Sequence, residues 1–249
     1  MNYSIFKRII DLFLSFIILS FSLPIIFIFI MLVYIEDRSS PFYIAKRVGK
    51  NYKNFNMIKI RSMKKNADKN GIDSTSNNDM RITNTGKIIR RYKVDELTQL
   101  INVLFGSMSL VGPRPNVDRD VKLYTLEETK LLNVTPGITD FASIIFSDEG
   151  SILKNEKDPD LAYNQLIRPW KSRLGLIYIE NKSLLLDMQI VFYTAISLVS
   201  KQTSINWINK KLIRFNTDKK LINICKRNEK LEPYPPPGLK TIVKSRISQ

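Results

Sequence analysis

The stretch "KVDELTQLINVLFGSMSLVGPRP", residues 93–115, sets two adjacent carboxylates, Asp95 and Glu96, at the head of an apolar-periodic segment and ends with Arg114 between Pro113 and Pro115. The chain has no histidine, so the commonest general base is missing and proton transfer or nucleophilic attack falls to Asp, Glu, Lys, Tyr or a hydroxyl. Neighbouring side chains on a helix diverge by about 100°, so Asp95 and Glu96 cannot flank one bond from opposite faces and must do different things. At a helix start the macrodipole and free N–H groups keep a carboxylate ionised, ready to attack or to hold a cation. The same position also suits a helix-capping aspartate. Pro115 disfavours helical backbone at Arg114, and Pro113 stiffens the approach, so the loop presents a fixed guanidinium suited to bidentate phosphate binding. A rigid surface turn is the plainer use of the same loop. Joined together, these parts point to an enzyme handling a phosphorylated substrate, with Asp95 as nucleophile or metal ligand.

The composition agrees with an anionic partner. Among 249 residues, Lys and Arg number 39 against 23 Asp and Glu, a net charge of +16, which suits nucleic acid, an anionic membrane surface or a phosphorylated substrate. Nucleic acid has no recognition-helix or RNP-type pattern to support it. The single cysteine, Cys225, and the lack of histidine exclude an internal disulfide framework and a Cys- or His-based zinc site, leaving a hard cation on oxygen ligands if a metal is used.

Several elements must position these groups. From Leu12 to Ile35 no charge occurs, long enough for a membrane helix. It is followed by "EDRSSP" rather than a cleavage site, and is read as a retained anchor. Pro24 sits near its middle, where it removes a helical hydrogen bond, with Ser20 and Ser22 placed to bond the freed carbonyls. A straight span with a tolerated proline and a helix that breaks, dips in and returns both fit. Lys7 and Arg8 before the segment, and Arg38, Lys46, Arg47, Lys50 and Lys53 after it, put cations on both flanks, which favours re-entry.

Beyond Pro41, alternation on both sides of "GKNYK" predicts a β-hairpin, and the polar run over residues 66–81 a surface loop. Leu97, Leu100, Ile101, Leu104 and Phe105 predict a helix opened by the carboxylate pair and closed at Gly106. Further helices are expected over 117–134, over 159–181 with an interruption at Pro169, and over 183–200, with "TPGITD" as a turn. In the tail, Ile205, Ile208, Leu212, Ile213 and Phe215 oppose Lys210, Lys211 and Arg214, which suits a helix on a membrane surface or one packed on the domain. "EPYPPPGLK" is a proline-rich extended segment, and no order is expected after it.

The ordered series "KRIIDL", "RVGKNYKNFNMIKIRSM", "TGKIIRRYKVDELTQLINVLFGSMSLVGPRP", "VTPGIT" and "IYIENKSLLLDMQIVFYTAISLV" resembles the bacterial sugar transferases, the small monotopic polyprenyl-phosphate hexose-1-phosphate (phosphoglycosyl) transferases. The resemblance runs over about residues 7–200. It implies a mainly helical α+β fold divided into a proline-broken re-entrant membrane helix (1–36), a cytoplasmic catalytic domain (37–200) and a basic, proline-rich tail (201–249), with amphipathic interfacial helices. It implies transfer of a sugar-1-phosphate from a UDP-sugar to undecaprenyl phosphate with release of UMP, at the cytoplasmic face of a bacterial inner membrane, to begin a surface glycan.

Carried residue by residue, the resemblance makes Asp95 the nucleophile of an aspartyl phospho-sugar and Glu96 its supporting partner, the two also holding Mg²⁺. Lys59, Arg90 and Arg114 would hold phosphates, Asp187 would organise the site or the metal, and Pro24 would break the membrane helix. A second copy of the chain or downstream glycosyltransferases are further partners it allows. A catalytically silent scaffold of a glycan-assembly complex is the rival reading, and the donor stays open between N-acetylated amino sugars and plain hexoses. Departures from the pattern are Leu23 before Pro24, Ser39–Ser40–Pro41 where Gly-Pro is common, Thr98 where proline is usual, and Asp140 where glycine is usual.

Overall fold

The hairpin forms where alternation places it. In a computed structural model that describes residues 3–67, 74–76 and 79–245, β1 (Phe42–Val48) pairs antiparallel with β2 (Asn54–Ile60), Ile44 opposite Ile58 and Tyr43 opposite Lys59. Asn51 and Tyr52 take left-handed backbone to close the turn. The free edge of β2 is covered by a helix: Asn102 Oδ1 accepts from Ile58 N at 2.9 Å, its Nδ2 donates to Asn56 O at 2.7 Å, and Thr98 Oγ1 donates to Ile58 O at 3.0 Å. Backbone groups that would attract another strand are thereby satisfied.

Before the hairpin runs α1 (Tyr3–Asp37), a 35-residue helix long and apolar enough to cross a membrane. Its buried positions, Asp11, Ser15, Ser22, Ile26 and Val33, recur at spacings of four and seven and so form one stripe against the domain. Phe13, Phe16, Phe21, Phe27 and Ile28 on the remaining surface are exposed. An exposed aromatic and aliphatic face of this extent marks association with lipid. Helical hydrogen bonding continues through Pro24. Ser20 Oγ and Ser22 Oγ donate to Phe16 O and Ile18 O, each one turn back along the helix. Those are not the carbonyls that Pro24 frees, and bonding of this kind bends a helix rather than breaking it.

Both ends of α1 are fastened to the domain. Arg8 donates to Val103 O and Leu104 O, satisfying the last carbonyls of a short helix, and Lys7 binds Asp187. At the other end Asp37 receives Arg61 through both carboxylate oxygens, and Glu36 accepts from Asn84 N.

The other helices are α2 (Asn84–Arg91), α3 (Val94–Leu97), α4 (Gln99–Leu104), α5 (Asp118–Val121), α6 (Phe141–Ile145), α7 (Glu149–Ile152), α8 (Pro159–Ala162), α9 (Arg168–Asn181), α10 (Leu184–Ser197), α11 (Lys201–Arg214) and α12 (Lys219–Cys225). The helix expected over 117–134 is replaced by α5 and a separate 3₁₀ turn, Glu128–Asn133. The break expected at Pro169 comes before it, in the π turn Tyr163–Ile167, and Pro169 itself sits in the first turn of α9, where its missing N–H costs nothing. "TPGITD" contains β4 (Gly137–Thr139), which pairs parallel with β3 (Ser109–Val111). A Cβ on Gly137 would lie 2.1 Å from Gly112 N, so only glycine allows this approach of two chains.

One core joins most of these elements, with Trp170, Phe141, Phe146, Ile145, Leu174 and Tyr178 at its centre. Of the two readings for the tail helix, α11 follows the packed one: Ile205, Ile208 and Leu212 are buried, and Trp207 stacks on Phe192 with centroids 5.7 Å apart. Tyr234, from the proline-rich segment, stacks on Trp170 at 4.3 Å. Half of the polar loop over 66–81 lies outside the described residues, as do the last four residues of the chain.

Candidate active site

Three elements converge on the carboxylate pair. The chain leaves α2, turns at Lys93 in left-handed backbone (φ 54°, ψ 29°) and enters α3, whose first turn carries Asp95 and Glu96. Asp95 does not cap the helix, because Lys93 occupies the capping position and the Asp95 carboxylate is engaged elsewhere. Lys59, on β2, donates to Asp95 Oδ2 at 3.0 Å and lies 4.0 Å from Glu96 Oε1. The Thr98 hydroxyl, bonded to both Ile58 O and Asp95 O, fixes strand against helix, so the departure from proline at this position has a local use. Arg114 comes from the proline-flanked loop after β3. Its Nη2 donates to Glu96 Oε1 at 2.5 Å and its Nη1 to Ile138 O at 3.4 Å.

Two predicted residues stand outside this network. Arg90, on α2, is held by Ser62 Oγ at 2.9 Å; Asp95 is the carboxylate acting most strongly on its charge, and no hydrogen bond joins the two among the described residues. Asp187, on α10, accepts from Lys7, Tyr3 and Tyr178 at 2.9, 2.8 and 2.7 Å. It is tied to the start of α1, and no hydrogen bond or ion pair links it to Asp95 or Glu96 among the described residues. Asp140, the departure from glycine, caps α6 by accepting from Ser143 N at 2.6 Å.

The local field is strongly cationic. Burial opposes ionisation of Glu96, but Arg114, Lys59 and Lys93 outweigh it and bring the carboxyl down to about 2. Glu96 in turn holds the Arg114 guanidinium above its ordinary pKa. Burial lowers Lys93, with Glu96 partly restoring it. Glu96 is therefore an anion throughout the neutral range, locked to Arg114, and is poorly suited to move a proton.

Asp95 Oδ1 and Glu96 Oε2 accept no hydrogen bond among the described residues. Those two oxygens fit Mg²⁺, which binds through one or two carboxylates and completes its shell with phosphate oxygens and water. No cluster of three or more metal-ligating side chains occurs among the described residues, so an all-protein cage is not what this site offers.

The sequence reading missed two features. Lys93 borders the pair directly, two positions before Asp95, and its type at the capping position was the available signal. Glu149 and Lys171 form an ion pair whose charges reach Arg114 and Lys93. They lie on α7 and α9, and nothing in their separation along the chain announces the contact.

Comparison with known proteins identifies the family. A family described as bacterial sugar transferase matches residues 2–201. The chain is 32% identical over 203 residues to the UDP-N-acetylgalactosamine-undecaprenyl-phosphate N-acetylgalactosaminephosphotransferase of Aeromonas hydrophila, an alignment covering 77% of this chain and 43% of that protein. It is 32% identical over 195 residues to the UDP-glucose:undecaprenyl-phosphate glucose-1-phosphate transferase of Klebsiella pneumoniae, covering 76% of this chain and 39% of that one. It is also 33% identical over 208 residues to the exopolysaccharide production protein PSS of Rhizobium leguminosarum bv. phaseoli, covering 79% and 96%. The chain thus spans less than half of the first two relatives and nearly all of the third.

Proposed function

The chain belongs to the bacterial sugar transferase family, and from that premise we propose that it transfers a sugar-1-phosphate from a UDP-sugar to undecaprenyl phosphate, releasing UMP, to begin a surface polysaccharide or related glycan. The observation that carries this reading is the Asp95–Glu96 pair, held by Lys59 from one element and Arg114 from another, with one oxygen of each carboxylate left open.

The chemistry follows in two displacements. Asp95 attacks the β-phosphorus of the donor, the bond to the α-phosphate oxygen breaks, and UMP leaves with that electron pair. A phosphate oxygen of the lipid acceptor then attacks the same phosphorus, expelling the Asp95 carboxylate and giving the lipid diphosphate sugar. A covalent intermediate divides one difficult transfer into two easier ones. Lys59 and Arg114 stabilise the charge on the transferring phosphoryl group, and their hydrogen bonds keep the carboxylates in position before substrate arrives. Mg²⁺, if bound at Asp95 and Glu96, would neutralise phosphate charge there. Arg90, near enough to act on Asp95, would hold a phosphate farther out.

The proposal places both ends of α1 on the cytoplasmic face of the inner membrane. Lys7 and Asp37 are bound to one and the same domain, so a crossing would drag that domain through the bilayer. Cations on both flanks favour the same side. Asp187, through Lys7 and Tyr3, then serves to seat the membrane helix. Single cysteines introduced at Ser4 and Ser40 will both react with an impermeant thiol reagent from the same face of sealed vesicles; reaction from opposite faces would mean that α1 spans.

The reaction is tested by UMP release from a panel of UDP-sugars, with protein in lipid nanodiscs, Mg²⁺ and undecaprenyl phosphate. Release that needs both a UDP-sugar and the lipid is expected. Silence across the panel, together with capture of later glycosyltransferases, would favour the scaffold reading instead.

A further inference from the structure

Lys93 departs from two local preferences of its backbone position. It occupies the capping position of α3, where Ser, Thr, Asn or Asp would accept a hydrogen bond from the first turn, and an ammonium has nothing to accept with. Its φ of 54° is left-handed, a conformation that glycine or asparagine takes easily and that costs other residues about 1 kcal/mol or more. A position that violates two local preferences is expected to be compensated by what its side chain does.

That compensation is not an internal ion pair. Among the described residues the half-buried Lys93 side chain makes no hydrogen bond and no salt bridge, while Lys59 is bound to Asp95, Arg114 to Glu96 and Lys171 to Glu149. Lys93 immediately precedes the helical turn that carries Asp95 and Glu96, and Glu96 is the charge that acts most strongly on its ammonium. Lys59, Arg90, Lys93 and Arg114 are four cations near the carboxylate pair, and a nucleotide diphosphate ester carries one ionised oxygen on each phosphate.

We propose that Lys93 is a further phosphate-binding residue of this site, holding the diphosphate of the nucleotide donor; this deepens the donor reading above and rests on it. An incoming phosphate can take the Lys93 ammonium without first displacing a carboxylate. The left-handed turn at Lys93 opens the helix that carries Asp95 and Glu96.

The test compares wild type with Lys93→Gln, Lys93→Arg and Lys93→Asn, all in nanodiscs, by donor and acceptor KM, kcat, calorimetric binding of UDP and Tm. Lys93→Gln is expected to raise the donor KM and weaken UDP about tenfold, about 1.4 kcal/mol, with kcat and the lipid-acceptor KM changed less than about threefold. Lys93→Arg restores most of the donor affinity. Lys93→Asn separates the side chain from the backbone, since asparagine suits both the left-handed turn and the cap: its Tm holds or rises while its UDP binding falls as in Lys93→Gln. Wild-type donor KM in Lys93→Asn or Lys93→Gln, or a change confined to the acceptor KM, would overturn the inference while the transfer reaction stands. Wild type that neither binds UDP nor releases UMP would overturn the donor reading and this inference with it.

Discussion

Replacing Asp95 by asparagine will reduce UMP release by at least about 10³-fold, a loss of about 4 kcal/mol of transition-state stabilisation. The substitution is nearly isosteric, and the amide oxygen can still accept from Lys59, now at Oδ2 at 3.0 Å. The helix start is unaffected, because Asp95 is not its cap. What is removed is the anionic oxygen that would bond to phosphorus, so Tm should change little while turnover collapses. Glu96→Gln provides the contrast, since it also removes a carboxylate of the pair but one bound to Arg114. A nucleophilic Asp95 requires that donor alone, without lipid, leave a sugar-phosphate mass on the peptide containing Asp95 in wild type and in Glu96→Gln, and none in Asp95→Asn. Turnover of Asp95→Asn within tenfold of wild type would place the nucleophile elsewhere.

Some of this arrangement was readable because it depends on local pattern. The hairpin needs only alternation and a tight turn, and Leu97 to Phe105 repeat at helical spacing, so β1, β2 and α4 form where those signals lie. The pairing of Lys59 with Asp95 and of Arg114 with Glu96 is a different matter. It joins residues 36 and 18 positions apart on separate elements: the first pair follows from Thr98 and Asn102 closing the edge of β2, the second from the loop after β3 reaching α3. Over 117–134 the reading failed although a signal was present. Thr125 and Glu128 form a reciprocal capping box, Glu128 N donating to Thr125 Oγ1 at 3.1 Å and Thr125 N to Glu128 Oε2 at 3.0 Å. The T-x-x-E spacing marks a fresh helical start rather than a continuing helix. Glu128 is then fully buried against Arg168 and Ser172, a use that no apolar periodicity discloses. At Pro24 the local rule allows a tolerated proline or a break; the helix continues through it, and both its ends are held by contacts distant in sequence.

Arg114→Ala should have the next largest effect, and it should be felt twice. Glu96 is ionised down to about pH 2 largely because Arg114 sits beside it, and its side chain is only 18% exposed. Removing the guanidinium leaves that carboxylate with Lys59 at 4.0 Å as its nearest remaining cation among the described residues, so the folded state loses stability as well as a phosphate ligand. A fall of about 10²- to 10³-fold in kcat/KM is expected, with a lowered Tm. Arg114→Lys separates charge from shape. It keeps a cation but cannot reach Glu96 Oε1 and Ile138 O together, as the planar fork does, and should recover Tm more fully than turnover. If the arginine served only as a stiff turn between two prolines, both variants would retain wild-type kcat/KM, because Pro113 and Pro115 set the backbone without it. Equal and complete recovery of rate and Tm in Arg114→Lys would reduce its part to a point charge. The predicted divergence, with stability restored and rate still depressed, is the result that assigns the bidentate guanidinium to the transition state.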